Sequence, residues 1–218
     1  MGILAGMVLA MALVFMAAGK IYINDVPMDF MFELDTAWRL HTGQVPYIDF
    51  ITPIGPVFYI VSGWAHRIFG PGPMTQAWLP MIPSLLLGAM MLWVGRRRLP
   101  PRMALLLAVL MVVRTCSPRF IDYVFLESSF LAPYNTFSSF LAVIVMLASA
   151  LPVRGYARKS WHPWMEGAIL GFCLTCMVFL KMHYAVICAV VMLGCALVRP
   201  NARVSLIGAI GACLLLSS

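Results

Sequence analysis

Seven apolar runs, each close to bilayer-crossing length, follow one another along this chain and leave few folds open to it. They are Ile3 to Gly19, Met74 to Val94, Pro101 to Ser117, Asn135 to Leu151, Trp164 to Lys181, Tyr184 to Val198 and Val204 to Ser218. A helix needs about 20 mostly apolar residues, at about 1.5 Å rise each, to cross hydrocarbon. Composition agrees: 62% of the residues are hydrophobic and 11% charged, against about 45–50% apolar residues in soluble domains. The fold expected is an all-α integral membrane protein of about seven transmembrane helices, with two further juxtamembrane helices in the first extracytoplasmic loop. Because the last run stops inside apolar sequence, a piece of a longer protein is expected.

Charge sets the orientation. The net charge of +7 is concentrated in Arg96, Arg97, Arg98 and Arg102, then Arg154, Arg158 and Lys159, then Arg199 and Arg203. Short basic clusters between apolar runs are the pattern of cytoplasmic loops and not of a nucleic-acid surface. Pro56 to Gly70 is the ambiguous segment, being shorter and amphipathic and carrying His66 and Arg67. Laid along the interface with Trp64 and Tyr59 as its anchoring rings, it lets a cytoplasmic N-terminus put all three clusters inside, in loops at about 95–102, 152–163 and 199–203. Arg96 to Arg98 then read as topology residues. The first run lacks the basic start of a secretory signal and is expected to stay uncleaved. Arg114 is expected to snorkel to the outer interface. Only Met182 and His183 separate the fifth and sixth runs, so a tight hairpin or re-entrant pair is expected there. The six cysteines sit in or beside apolar sequence without metal-site loops and read as small buried hydrophobes.

The polar content is gathered in the first loop, residues 20–73. It holds Asp25, Asp29, Glu33, Asp35 and Asp49, five of the eight acids. From Asp29 to Gly43 the pattern takes a helical period, with Leu34, Trp38 and Leu40 or His41 on one side and Gly43 as a stop. The stretch Pro46-Tyr47-Ile48-Asp49-Phe50, then Pro53-Ile54-Gly55-Pro56, is a rigid turn leading into a second short helix.

The loop motifs are Gly43-Gln44-Val45-Pro46-Tyr47-Ile48-Asp49-Phe50, Pro53-Ile54-Gly55-Pro56-Val57-Phe58-Tyr59 and Ile68-Phe69-Gly70. Their order after a first span, and before a span ending in an Arg-rich loop, resembles the N-terminal module of GT-C glycosyltransferases. The pattern is most similar to the protein mannosyltransferase-like and the aminoarabinose- or galacturonosyltransferase-like enzymes of bacterial envelopes. The resemblance covers the whole chain, 1–218, in layout and Asp25 to Gly70 in motif. It implies an inverting hexosyl or pentosyl transfer from a polyprenyl-phosphate sugar to an envelope glycan, lipid or protein on the outer side of the inner membrane. It also implies that Asp29, or Asp25, acts as base on the acceptor or holds a divalent metal (Mg or Mn), and that Asp49 positions substrate or contacts that metal. Lys181, in Phe179-Leu180-Lys181-Met182-His183-Tyr184, resembles the family's lysine near the outer end of this helix, and Asn135 matches a further polar position. Arg114, Arg119 and His183 are candidates for the lipid phosphate.

Physical chemistry is compatible with this division of labour: transfer needs a base for the acceptor proton and positive charge for the departing phosphate. Lysine inside a span costs about 2.5–3.5 kcal/mol at the centre, which marks Lys181 as a candidate, although it also reaches the interface by snorkelling. The loop acids equally suit a solvated role, Asn135 a helix cap, and His41 and His66 the interface. Two other classes stay open. A transporter subunit would place ionisable residues and helix breaks at mid-span, and a noncatalytic envelope-assembly protein would need none of this chemistry.

Overall fold

The computed structural model describes residues 2–18, 27–51, 55–70, 72, 75, 78–116, 119–120, 128–129, 133–153, 162–198 and 200–217. The protein is helical. In chain order the helices are α1 (Gly2–Ala18), α2 (Pro27–His41), α3 (Pro56–Phe69), α4 (Met81–Arg96), α5 (Pro101–Cys116), α6 (Pro133–Ala150), α7 (His162–Val198) and α8 (Pro200–Ser217). Between α5 and α6 lies a two-residue antiparallel ladder that the sequence did not announce, β1 (Arg119–Phe120) against β2 (Ser128–Ser129), pairing Arg119 with Ser129.

Prolines start these helices. Pro27, Pro56, Pro101, Pro133 and Pro200 are each the first helical residue, where a missing N–H costs nothing and the fixed φ suits the turn. This rule moves Asn135 from the expected cap to the third residue of α6, so capping does not account for it. It also shortens the second apolar run. Pro80 and Pro83 are tolerated only in a first turn, and α4 accordingly begins at Met81, seven residues after Met74. Glycine ends α2. Gly43 has φ +92°, its N–H donates to the Leu40 carbonyl at 3.2 Å, and the Gln44 N–H donates to that of Arg39 at 2.9 Å, the paired bonds of a Schellman stop.

Among the described residues one helix, α7, is both long and apolar enough to cross a membrane; α1, α4, α6 and α8 hold shorter apolar segments. α4, at 16 residues, reaches about 24 Å against a hydrocarbon core of about 30 Å. The expected separation of the fifth and sixth runs becomes a bend inside α7, where Lys181 alone leaves helical geometry (φ −154°, ψ 96°). The break at Lys181 divides α7 into two helical halves.

The chain divides into two compact units, 1–86 with 110–137, and 87–109 with 138–218. In the first, α2 lies against α3, and the Cys116 thiol donates to the Ser84 hydroxyl at 3.2 Å in the core. In the second, α7 packs on α8 through small residues. A Cβ on Gly167 would come within 2.8 Å of the Gly208 Cα, and one on Gly171 within 2.5 Å of the Ala212 Cβ. This Gly-xxx-Gly face, legible as Gly167-Ala168-Ile169-Leu170-Gly171, allows backbones to approach and was not picked out from the sequence. All six cysteines are free, with Cys116, Cys173 and Cys188 buried, which agrees with their reading as small hydrophobes.

The second unit also overturns the reading of Arg96 to Arg98 as topology residues alone. Arg98 is buried, donating to Glu166 at 2.5 Å, to the carbonyl of Ala148 at 2.9 Å and to that of Leu151 at 3.1 Å. Those carbonyls end α6, the negative end of its dipole. Arg97 lies over the Trp93 ring and 3.8 Å from the other Glu166 oxygen, and the Ser205 hydroxyl donates to Glu166 at 3.4 Å.

Candidate functional site in the first loop

Two short helices and the turn between them make up the described part of the first loop. α2 and α3 meet along faces that repeat every three to four residues, and contacts climb both helices together. Phe32 meets the Tyr59 ring edge-on at 6.4 Å between centroids, and further along a Cβ on Gly63 would lie 3.1 Å from the Leu40 Cβ. The buried faces mix polar and apolar side chains, Phe58 and Ala65 of α3 among the latter. Glu33, Thr36 and Ala37 of α2 are buried, as are Tyr59, Ser62, Gly63 and His66 of α3. Trp38 and Met31 of α2 are exposed instead, as are Ile60, Trp64 and Ile68 of α3. Leu34 and Trp38, expected on one side of α2, are half-buried and exposed there. Tyr59 and His66, expected to be held in the interface, are wholly buried within the protein. The signal was present in the spacing: Tyr59, Ser62 and His66 fall at i, i+3 and i+7, a polar stripe on one face.

His66 is the group most changed by this setting. Its Nδ1 donates to the Ser62 carbonyl at 3.0 Å, which fixes the neutral tautomer with a bare Nε2. Nε2 and the Ser62 hydroxyl are both buried with no hydrogen-bond partner among the described residues. Burial pulls the imidazole pKa below its usual 6.5; the bond to Ser62 works the other way, and His41 adds a smaller lowering. A histidine held neutral in the fold but protonated in the unfolded chain makes stability depend on pH. The stabilisation is complete above about pH 6.5 and is lost as pH falls toward the lowered folded value. Thermal unfolding followed from pH 8 to 5 is therefore expected to show a falling midpoint below about 6.5, and His66→Gln is expected to flatten that part of the profile.

The turn after α2 is built by Asp49, whose Oδ2 accepts the Val45 N–H at 2.7 Å while its own N–H donates to the Val45 carbonyl at 2.9 Å. Tyr47 takes φ +64° there, a conformation a non-glycine residue adopts at a cost of order 1 kcal/mol or more. Arg39 ties the turn to α2, pairing with Asp35 at 2.7 Å, reaching Gln44 at 3.5 Å and lying over the Phe50 ring. The result is an exposed apolar tip of Val45, Tyr47, Ile48 and Ile51.

Of the residues singled out from the sequence, Asp29 is the third residue of α2, where an acid favours the positive end of the helix dipole. Its side chain, like that of Arg119 in β1, lies outside the described residues, and Asp25 lies outside them altogether. Arg114 is exposed in the last turn of α5, and Asn135 is half-buried in the first turn of α6. Lys181, half-buried, marks the bend in α7. Beside it the exposed His183 ring lies 4.5 Å from that of Tyr184, whose hydroxyl is 3.2 Å from the Ser139 hydroxyl. Asp49, Arg114 and Asn135 belong to the first unit, and Lys181 and His183 to the second. No group of three His, Cys, Asp or Glu side chains converges among the described residues to hold the metal expected of Asp29 and Asp49, and one Asp49 oxygen is already committed to the turn. No protein-family model, curated protein or solved structure matches the chain.

Proposed function

We propose that the protein is a multi-pass membrane glycosyltransferase of the GT-C type, moving a sugar from a polyprenyl phosphate to an envelope acceptor. The observation that carries this reading is the layout of the first loop. Two short helices stand between the first apolar helix and the next, with an acid in the first turn of α2 and the Val45–Phe50 turn tied back onto α2. Membrane residence is supported by the many large apolar side chains left on the surface. Large apolar residues such as Leu9, Trp64, Leu106, Val190 and Leu215 face outward, while Glu33, His66, Arg98 and Glu166 are buried. Water would penalise such a surface and hydrocarbon does not. In this reading Asp29 takes the proton of the acceptor hydroxyl as that oxygen attacks the sugar's anomeric carbon and the bond to the lipid phosphate breaks, positive charge steadying the phosphate that departs.

One observation favours a second reading. A helix broken at a lysine within an apolar run also suits a transporter, where half-helix ends at mid-membrane hold substrate. Transfer and binding separate the two. The protein and its Asp29→Asn variant in nanodiscs are given a radiolabelled polyprenyl-phosphate sugar. Transfer lost in the variant with donor binding kept is the expected result. Absence of donor binding by either protein overturns the transferase reading.

A further inference from the structure

The α2–α3 seam holds more polar capacity than it uses. Ser62 and His66 are both 0% exposed, and the Ser62 hydroxyl and His66 Nε2 are without hydrogen-bond partners among the described residues. Such groups cost free energy when left unmade, so native structures rarely keep them without a ligand or water to receive. Their chemistry narrows the ligand. With Nδ1 donating to the Ser62 carbonyl, Nε2 offers only a lone pair, and the Ser62 hydroxyl both donates and accepts. Residues one turn apart hold their Cβ atoms about 5–6 Å from each other, so a single oxygen can bridge both groups. That oxygen must donate to Nε2 and accept from Oγ. A hydroxyl does both, as water does, and a resident water is told apart by an Nε2 already hydrogen-bonded before any ligand is added. An ammonium only donates, and a fully ionised phosphate or carboxylate cannot donate to Nε2. The rings of Phe32, Phe58 and Tyr59, packed edge-on to one another at 5.7 and 6.4 Å, line the same pair of helices with the apolar surface that the C–H face of a sugar prefers.

We propose that the α2–α3 seam binds one hydroxyl of a sugar or polyol, received between Ser62 Oγ and His66 Nε2. The proposal stands on the chemistry of the seam and is read at His66 in the absence of any transfer, so its failure and that of the transferase reading are separate events.

The test is nitrogen NMR of the full chain in nanodiscs with 15N-labelled histidine, the His66 signals being assigned with His66→Gln. Without ligand, Nε2 is expected at the position of a bare imidazole nitrogen. Methyl β-D-glucopyranoside or myo-inositol should move it, saturably, toward the hydrogen-bonded position, and inorganic phosphate should not. Ser62→Ala should weaken that binding about three- to tenfold, the value of one hydrogen bond, while leaving the seam folded. A polyprenyl-phosphate glucose separates the sources: competition with the glucoside assigns the seam to the donor's sugar, and its absence assigns it to an acceptor's. The proposal is overturned if neither polyol moves Nε2, if Nε2 already sits at the hydrogen-bonded position and stays there, or if Ser62→Ala binds the glucoside unchanged.

Discussion

Replacing Glu166 with alanine is expected to destabilise the protein by about 3–5 kcal/mol, the cost of leaving a buried charge without its partner. The Arg98 and Glu166 side chains are only 2% and 7% exposed, so water cannot take over from the missing carboxylate. The carbonyls of Ala148 and Leu151 still receive the guanidinium, which places the loss toward the lower end of that range. For a chain of this size the unfolding midpoint should fall by roughly 6–20 °C. A thiol-reactive fluorophore reads it directly, because the buried Cys116, Cys173 and Cys188 react only when the fold opens. The double replacement Arg98→Met with Glu166→Leu should recover most of the loss, since apolar packing commonly matches or exceeds a buried pair. An unchanged midpoint in Glu166→Ala would mean that water reaches the pair in the folded protein.

Gly171→Ala and Gly194→Ala are expected to shift stability in opposite directions, although both put the same methyl group on α7. At Gly171 the new Cβ would sit 2.5 Å from the Ala212 Cβ and 2.6 Å from the Ala209 carbonyl oxygen, so α7 and α8 must separate. Overpacking of this kind costs about 1–3 kcal/mol. Nothing lies within 4 Å of a Cβ at Gly194, where alanine should add up to about 1 kcal/mol through helix propensity. Ala212→Gly should restore part of the loss in Gly171→Ala, because it removes the first atom encountered. Equal effects at both glycines in the same unfolding assay would show that the α7–α8 approach is looser than this.

Both predictions turn on contacts that no local pattern contains. Arg98 and Glu166 are 68 residues apart, and a basic cluster beside an apolar run has the same sequence whether it faces water or ends inside a helix bundle. His66 was similarly read as interfacial because α3 is amphipathic. Amphipathicity identifies two faces without saying which is turned inward, and here the polar stripe went in and Trp64 out. The loop acids were visible as a cluster, and Asp29 was placed on a helix that α2 reproduces. The burial of Glu33 and the use of Asp49 in its own turn depended on neighbours that the cluster does not name.

By itself the sequence determined roughly where the helices are, and for α1, α3 and α5 where they stop. The apolar runs, the prolines at first turns and Gly43 act over a few residues, through hydrophobic burial, a missing N–H and a permitted positive φ. The ends of α1, α3 and α5 accordingly fall within about two residues of the expected ones. Only the tertiary structure decided which face of each helix is buried, which charges are neutralised, and that the fifth and sixth runs join through a bend at Lys181. The physical reason is that burial and pairing belong to two surfaces at once, and a stretch of sequence specifies only one of them.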